Sequence, residues 1–553
     1  MPVGLNLIFG RMSNEKGMKK DKMRIASYRI LLPVWLGLLS VSSVWARQNA
    51  GQKESVVFST PKTLYFTGEK IWIDAEVALD DEPSPSQVLY AELVNRNSNS
   101  VAYVKMPLIR GKAFNYLQLK SDIPSDHYLL RIYTRISPYL DRELGISQQF
   151  VTVINPTIPP VAAAEGETET VSLPAARDSF SKNQKITLPS EQTRGGKFRA
   201  GISIANPFLP SEQQAIFSSE VYDALEMKPL IPELFGHVVE VKIPNPKPDA
   251  TYFLSVHGSQ SALFTDIPGD DQRLLVDIGG LKHWDRMIIQ MEDGAEMPGI
   301  EVVLPLVQTQ FKSDFDFPRL ALRESDLAYL EKLLKASRVE SYYQEKYQVD
   351  SMAVVTGFVA DYSYDLDAYT RFEDVGTVLR EYVPSVLVRT RNRRKEFRLV
   401  NEAVKGLFDT NPLILVDAMP VFDSDLLASF NPKFLQKLDV LNREFYLNQR
   451  VYPGVLSWTS YQNNFGLYPL APNARFFDYY GLQPEIVMDR GQFSRPTENG
   501  RYPDWRTVLY WEEGTAGLSD VLAPDMDGMY IFWTRSQAAD GSPTVRKSYF
   551  SVL

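Results

Sequence analysis

Tyr65-Phe66-Thr67-Gly68-Glu69-Lys70-Ile71-Trp72-Ile73-Asp74-Ala75-Glu76-Val77 decides the fold class. A turn containing glycine leads into apolar residues alternating with polar ones, the period of a strand with one buried face. Similar runs follow at residues 88–94, 101–107, 113–119 and 127–134. Turn formers separate them: Asp81-Glu82-Pro83-Ser84-Pro85, then residues 95–100 and 109–112. Short strands at this spacing predict an antiparallel sandwich.

The rest of the composition agrees with a β-rich chain. Among 553 residues there are 36 prolines and 28 tyrosines but only four histidines and no cysteine. That length exceeds one ordinary domain, so three to five are expected. Without cysteine there is no disulfide, thiolate metal site, cysteine nucleophile, thioester or lipoprotein anchor.

Residues 1–46 read as an export signal. Lys19, Lys20, Lys22, Arg24 and Arg29 precede an apolar run over 30–39, and Val44-Trp45-Ala46 supplies a cleavage site. The run is shorter than the roughly 20 residues that span a bilayer, and Pro33 interrupts it. Residues 1–46 hold seven Lys or Arg and two Asp or Glu, so their removal takes the net charge from −9 to −14. That disfavours nucleic acid as a partner. No later run has the apolar length of a membrane helix, so no integral span is expected in the mature chain.

Residues 65–77, 88–94 and 124–134 together resemble the macroglobulin-type β-sandwich that opens many large exported proteins of the Bacteroidota. Asp126-His127 stands where relatives often carry glycine before the closing tyrosine. Residues 155–178, with Pro156, Pro159, Pro160 and three consecutive alanines, read as a linker. Strands expected at 185–188 and 198–204 begin a second sandwich too short to close by itself, so later strands are expected to complete it. Residues 235–291 are similar to the small prealbumin-like or carboxypeptidase-regulatory sandwich. In 324–347, Leu327, Leu330, Leu334, Val339 and Tyr343 form the apolar stripe of a helix.

Residues 372–384 predict a short helix ending before Pro384, followed by a strand over 386–389. Pro412-Leu413-Ile414-Leu415-Val416-Asp417-Ala418-Met419-Pro420-Val421 comes next, then a helix over 423–428 and strands at 435–441 and 454–460. This order resembles the plug domain of TonB-dependent outer-membrane receptors, with Ala418 in place of the usual turn glycine. A receptor barrel needs well over about 200 residues. Residues 462–553 are too few for one, so a plug-like unit without its barrel is expected here. Asp504-Trp505-Arg506-Thr507-Val508-Leu509-Tyr510-Trp511 resembles the C-terminal segment of the same exported family.

The expected fold class is therefore mainly β and multidomain, with immunoglobulin- or macroglobulin-like sandwiches and a small α/β plug-like domain. The expected organisation is signal 1–46, macroglobulin-like sandwich 47–154 and linker 155–178, then a partial second sandwich 179–230 and a regulatory-like sandwich 231–303. A helical connection at 304–367, the plug-like domain at 368–461 and a β-rich part at 462–553 complete it.

Candidate chemistry is sparse. His127, His237, His257 and His283 lack metal-ligand spacing, and His257-Gly258-Ser259-Gln260-Ser261 has no nucleophile elbow. Asp314 with Asp316, Asp365 with Asp367, and Asp525 with Asp527-Gly528 lack the further ligands of a calcium loop. No phosphate-cradling glycine motif occurs. No catalytic, cofactor or metal residue is assigned. The candidate partner-binding residues are Arg389, Arg391, Arg393, Arg394 and Lys395, in a basic cluster with Arg398, together with Trp511 and Trp533 among the C-terminal aromatics. The expectation is a non-enzymatic exported binding or scaffold protein, in the periplasm or at the outer-membrane periphery, with a protein partner in an outer-membrane complex. The alternative is a macroglobulin-like protease inhibitor without a thioester, with 155–178 as its bait.

Overall fold

The computed structural model describes residues 53–553 except 81, 161–172, 188–197, 210, 224, 226–229, 283, 345–346, 350–357, 403, 494–502, 515–517 and 539–541. The expected signal, the middle of the expected linker and His283 lie outside the described residues. The described architecture is mainly β and built of several sheets.

In Lys70–Leu79 the residues Ile71, Ile73, Ala75 and Val77 point one way, because side chains alternate along a strand. They pack on Leu89, Ala91, Leu130 and Ile132 of a facing sheet. The first sheet joins Glu54–Ser59, Lys70–Leu79, Lys112–Gln118 and the short Glu82–Pro83. The second runs Leu64–Phe66, Ser147–Ile154, Asp126–Tyr133, Val88–Val94, Ser100–Pro107. Each such buried aliphatic side chain contributes roughly 1.5–3 kcal/mol.

The opposite face of Lys70–Leu79 is covered too. Trp72 lies against Phe114, Tyr116, Tyr347 and Phe493, with ring centroids 5.2 to 6.2 Å away. Beside them sit Trp511, Ile531, Trp533 and Tyr549 of another sheet. That sheet runs Asp178–Phe180, Pro543–Val552, Gly528–Gln537, Phe198–Ile204, Val508–Glu513. Strand Phe198–Ile204 thus pairs with strands near the far end of the chain, so a boundary at 462 cuts through one sheet. The strand expected at 185–188 reduces to a single bridge from Lys185 to Leu522, with 188 outside the described residues.

The sheet's other face carries Ile202, Ile204, Tyr510, Tyr530, Phe532 and Phe550 and receives the helix Leu327–Gln344. The helix buries Leu330, Leu333, Ala336, Ser337 and Glu340, whereas Leu327 is 54% exposed and Leu334 and Val339 are half-buried. The apolar stripe is displaced because the buried face carries a carboxylate. Glu340 accepts hydrogen bonds from Val508 N (3.0 Å), Lys62 Nζ (3.3 Å) and the Thr507 hydroxyl. An apolar count alone passes over such a face.

A second pair of sheets encloses Val239, Val241, Leu254, Val256, Leu274 and Ile289. One holds Arg273–Gly279, His237–Lys242 and Glu301–Val303. The other runs Ala262–Asp266, Tyr252–Gly258, Trp284–Met291, Arg475–Asp478, its last strand coming from beyond 461. Between these contributions lies a mixed sheet: Tyr362–Asp365, Leu435–Leu441, Val455–Ser460, Leu413–Val416, Met419–Pro420. Leu413–Val416 and Val455–Ser460 are parallel, and the other pairings are antiparallel. Helices Val375–Tyr382 and Ser424–Ala428 pack on it, each begun by an aspartate: Asp374 accepts from Thr377 N (2.9 Å) and Asp423 from Asp425 N (3.0 Å).

Candidate binding surface

The turn joining Leu413–Val416 to Met419–Pro420 uses Asp417 (φ 48°) and Ala418 (φ 66°), both left-handed. Ala418 therefore keeps the conformation that glycine adopts more cheaply, and the substitution does not change the turn's hand. Asp417 holds the turn in place. Its buried carboxylate accepts from Ser460 N (2.7 Å), Ser460 Oγ (2.5 Å) and Phe465 N (2.7 Å).

Beside this turn a groove of about 1030 Å³ opens between the mixed sheet and Ala262–Asp266, the edge strand of the neighbouring sheet. Leu263, Phe264, Leu413, Leu415 and Phe445 make its apolar wall, and Ser259, Asp285, Arg286 and Gln462 add polar groups. A mostly apolar cleft with a few polar groups, next to a strand edge, suits an extended or small apolar ligand. Sequence reading missed the groove, because its two walls lie in separate modules.

The basic cluster occupies a hairpin on the same module. Val386–Arg391 and Arg394–Asn401 are joined by Asn392 (φ 50°) and Arg393 (φ 64°), the two-residue turn that matches strand twist. Arg389, Arg391, Arg393 and Arg394 are exposed. Arg394 pairs with Asp423 (2.8 Å), and Lys395 N donates to Asp425 Oδ1 (2.9 Å). Arg398 is buried, bound to Glu396 and to Asn411 Oδ1 (2.9 Å), and belongs to the framework.

The tryptophan candidates require correction. Trp511 is 2% exposed and Trp533 0%, so neither can meet a partner. Both point at the first sandwich, where Trp511 Nε1 donates to Ser59 Oγ (3.1 Å). Tyr510, Tyr530 and Phe532 line the opposite core, so both faces of these strands are covered and the aromatics are consumed in packing.

The three described histidines are structural. His127 Nδ1 meets Thr152 Oγ1 (2.9 Å) and His257 Nε2 meets Ser255 Oγ (2.8 Å). Burial pulls their imidazoles down to about 4 and about 3. His237 sits in a fully buried knot that sequence reading missed, although Glu233 and His237 stand four apart. Its Nδ1 contacts Glu233 Oε1 (2.7 Å) and its Nε2 the Tyr479 hydroxyl (2.8 Å), while the Tyr90 hydroxyl donates to Glu233 Oε2 (2.8 Å). Burial, then the nearby Lys105 charge, lowers His237 to about 4. Burial would raise Glu233, but its bonds to His237 and the Arg135 charge outweigh that and hold it below the usual carboxylate range. Burial and the neighbouring Glu233 push both tyrosines well above their ordinary value, so neither is a ready nucleophile. Lys105 donates to Tyr480 O (2.5 Å), stands 3.6 Å from the Tyr479 ring centroid and falls to about 7 by burial. The knot clamps the first sandwich to 233–242 and 479–480.

Two of the three acidic pairs are held by hydrogen bonds within the fold. Asp365 accepts from Asp367 N (3.1 Å), Asp527 accepts from Lys332 Nζ (2.6 Å), and Asp525 Oδ2 accepts from Asp504 N (2.7 Å). Among the described residues no helix is long and apolar enough to cross a membrane.

No protein-family model and no curated protein matches the sequence. Among solved structures the chain is similar to α2-macroglobulin of Salmonella, at 9% identity over 91% of this chain and 40% of that one, with a TM-score of 0.19. It is also similar to Escherichia coli α2-macroglobulin activated by porcine elastase, at 8% identity over 90% of this chain and 44% of that one, with a TM-score of 0.20. A tetra-tandem repeat from the extending region of a large adhesion protein matches at 7% identity over 91% of this chain and 74% of that one, with a TM-score of 0.13. The chain spans less than half the length of either macroglobulin.

Proposed function

We propose that this chain is a non-enzymatic exported binding or scaffold protein that docks at the outer membrane, in a transport or assembly complex, through its 362–460 module. The observation that carries this reading is the form of that module. A small mixed sheet with one parallel pair and two short helices suits the stopper-like unit suggested by residues 412–421. The chain then returns to earlier sheets at Arg475–Asp478 and Val508–Glu513, so the module is carried by its neighbours. Its groove and its arginine hairpin remain on the surface as docking features. The strongest polar clusters, at Asp417 and at His237, have their hydrogen bonds committed to structure, which favours binding over bond-making.

Fractionation of the producing cells tests the proposal. Recovery with outer-membrane material, in a complex larger than the chain alone, is the expected result. Recovery wholly as a monomer in the soluble periplasm overturns it.

A further inference from the structure

Among the described residues nine Lys or Arg side chains are buried, and seven of them pair with a carboxylate. Lys105 is one exception and relieves its burial by giving up its proton readily. Arg535 is the other, and a guanidinium has no such escape in a protein.

Arg535 is 3% exposed. Its Nη1 donates to Phe58 O (2.5 Å) and its Nη2 to Gln149 Oε1 (2.8 Å) and Gln213 O (3.2 Å), all neutral acceptors. Its buried Nε–H has no protein partner. Strand pairing sets Arg199 directly opposite, and like charges there are unfavourable. Arg199 is itself satisfied by Asp74 (3.1 Å) and Glu76 (3.7 Å), so it adds a second cation without bringing an acid to Arg535. Burial and the Arg199 charge pull even this guanidinium down to about 10.

Both arginines line a cavity of about 110 Å³ between the first sandwich and the sheet containing Phe198–Ile204. An apolar cavity of about 150 Å³ accommodates benzene, so this one has room for roughly four heavy atoms. Glu76 and Glu513 also line it, half-exposed or at the surface, and their charge disfavours a multivalent ion.

We infer that this cavity is a binding site for one small monovalent anion, a halide or a small carboxylate, held between the facing guanidinium groups of Arg535 and Arg199. The bound anion supplies the partner charge that Arg535 lacks and clips the first sandwich to that sheet.

Thermal unfolding at constant ionic strength tests this, with sodium gluconate, whose anion is too large for the cavity, replaced stepwise by sodium chloride or sodium formate. The expected midpoint rises by roughly 1–3 °C per tenfold increase above the dissociation constant, and the rise is absent in Arg535→Met. A rise with chloride alone identifies a halide site, and a rise with formate alone a carboxylate site. Equal midpoints in all three salts, or an undiminished rise in Arg535→Met, overturn the inference. If that variant does not fold, wild-type crystals grown in sodium bromide decide. An anomalous peak between Arg535 and Arg199 supports a halide site, formate density there in crystals grown in sodium formate supports a carboxylate site, and a cavity empty in both refutes the inference.

Discussion

Asp417 and Ala418 show how much of the groove's rim depends on two residues. Ala418 stays left-handed (φ 66°) against the ordinary preference of alanine. Ala418→Gly is expected to stabilise the fold by about 0.5–1 kcal/mol, read from the urea midpoint. Asp417→Ala leaves Ser460 N and Phe465 N without their acceptor inside the module, and a loss of about 2–4 kcal/mol is expected by the same measurement. Gly201 has a different constraint. A Cβ there would stand 2.4 Å from the Trp533 ring, so Gly201→Ala should cost about 1–3 kcal/mol. The histidines make stability pH-dependent. His127 and His237 titrate near 4 in the fold but near 6.5 when unfolded, so between those values the unfolded chain binds more protons. Stability should therefore fall as pH drops from 6.5 towards 4, and His237→Phe should reduce the slope of unfolding free energy against pH. Lys105 acts in a higher window. Its value near 7 in the fold against 10.5 unfolded makes stability rise from pH 7 to 10.5, a rise that Lys105→Met should remove.

At the scale of elements, the strands most legible in the sequence were those with a local signature. Alternation in Lys70–Leu79 and the apolar runs Val88–Val94 and Phe198–Ile204 announce strands wherever their partners lie. The helix Val375–Tyr382 was legible from the Pro384 that follows it, and Ser424–Ala428 from its place in the order of elements, whereas their aspartate caps emerge only in the structure. Burial was less legible. Trp511 and Trp533 look like interface aromatics until the face they share is seen to meet Trp72, a contact between segments more than 400 positions apart. The helix Leu327–Gln344 turns a different face inward because Glu340 is buried and bonded. The arginine cluster was legible as a run of charge, and the structure places it on a hairpin whose turn residues Asn392 and Arg393 are left-handed. Its exposed charges add little to stability. Reversing Arg391 and Arg393 to glutamate should move unfolding by no more than about 0.5 kcal/mol while weakening attachment to an acidic partner, measured by co-sedimentation with outer membranes.

At the scale of the molecule, sheets are completed by segments far apart in sequence, an expectation the sequence raised for the sheet of Phe198–Ile204 alone. Arg475–Asp478 edges a sheet begun at Tyr252–Gly258, and Gly528–Gln537 pairs with Phe198–Ile204. The strands that follow the 362–460 module thus tie its C-terminal end into neighbouring sheets. Photocrosslinking in the producing cell tests the module's docking role most directly, with a photoreactive residue at Phe264 in the groove, at Arg393 on the hairpin tip, and at exposed Leu327 as a control. The expected result is a discrete adduct with an outer-membrane component from the first two positions and none from the third. A chain that stays uncrosslinked at both, or that reacts equally at all three, would contradict a docking role for this module.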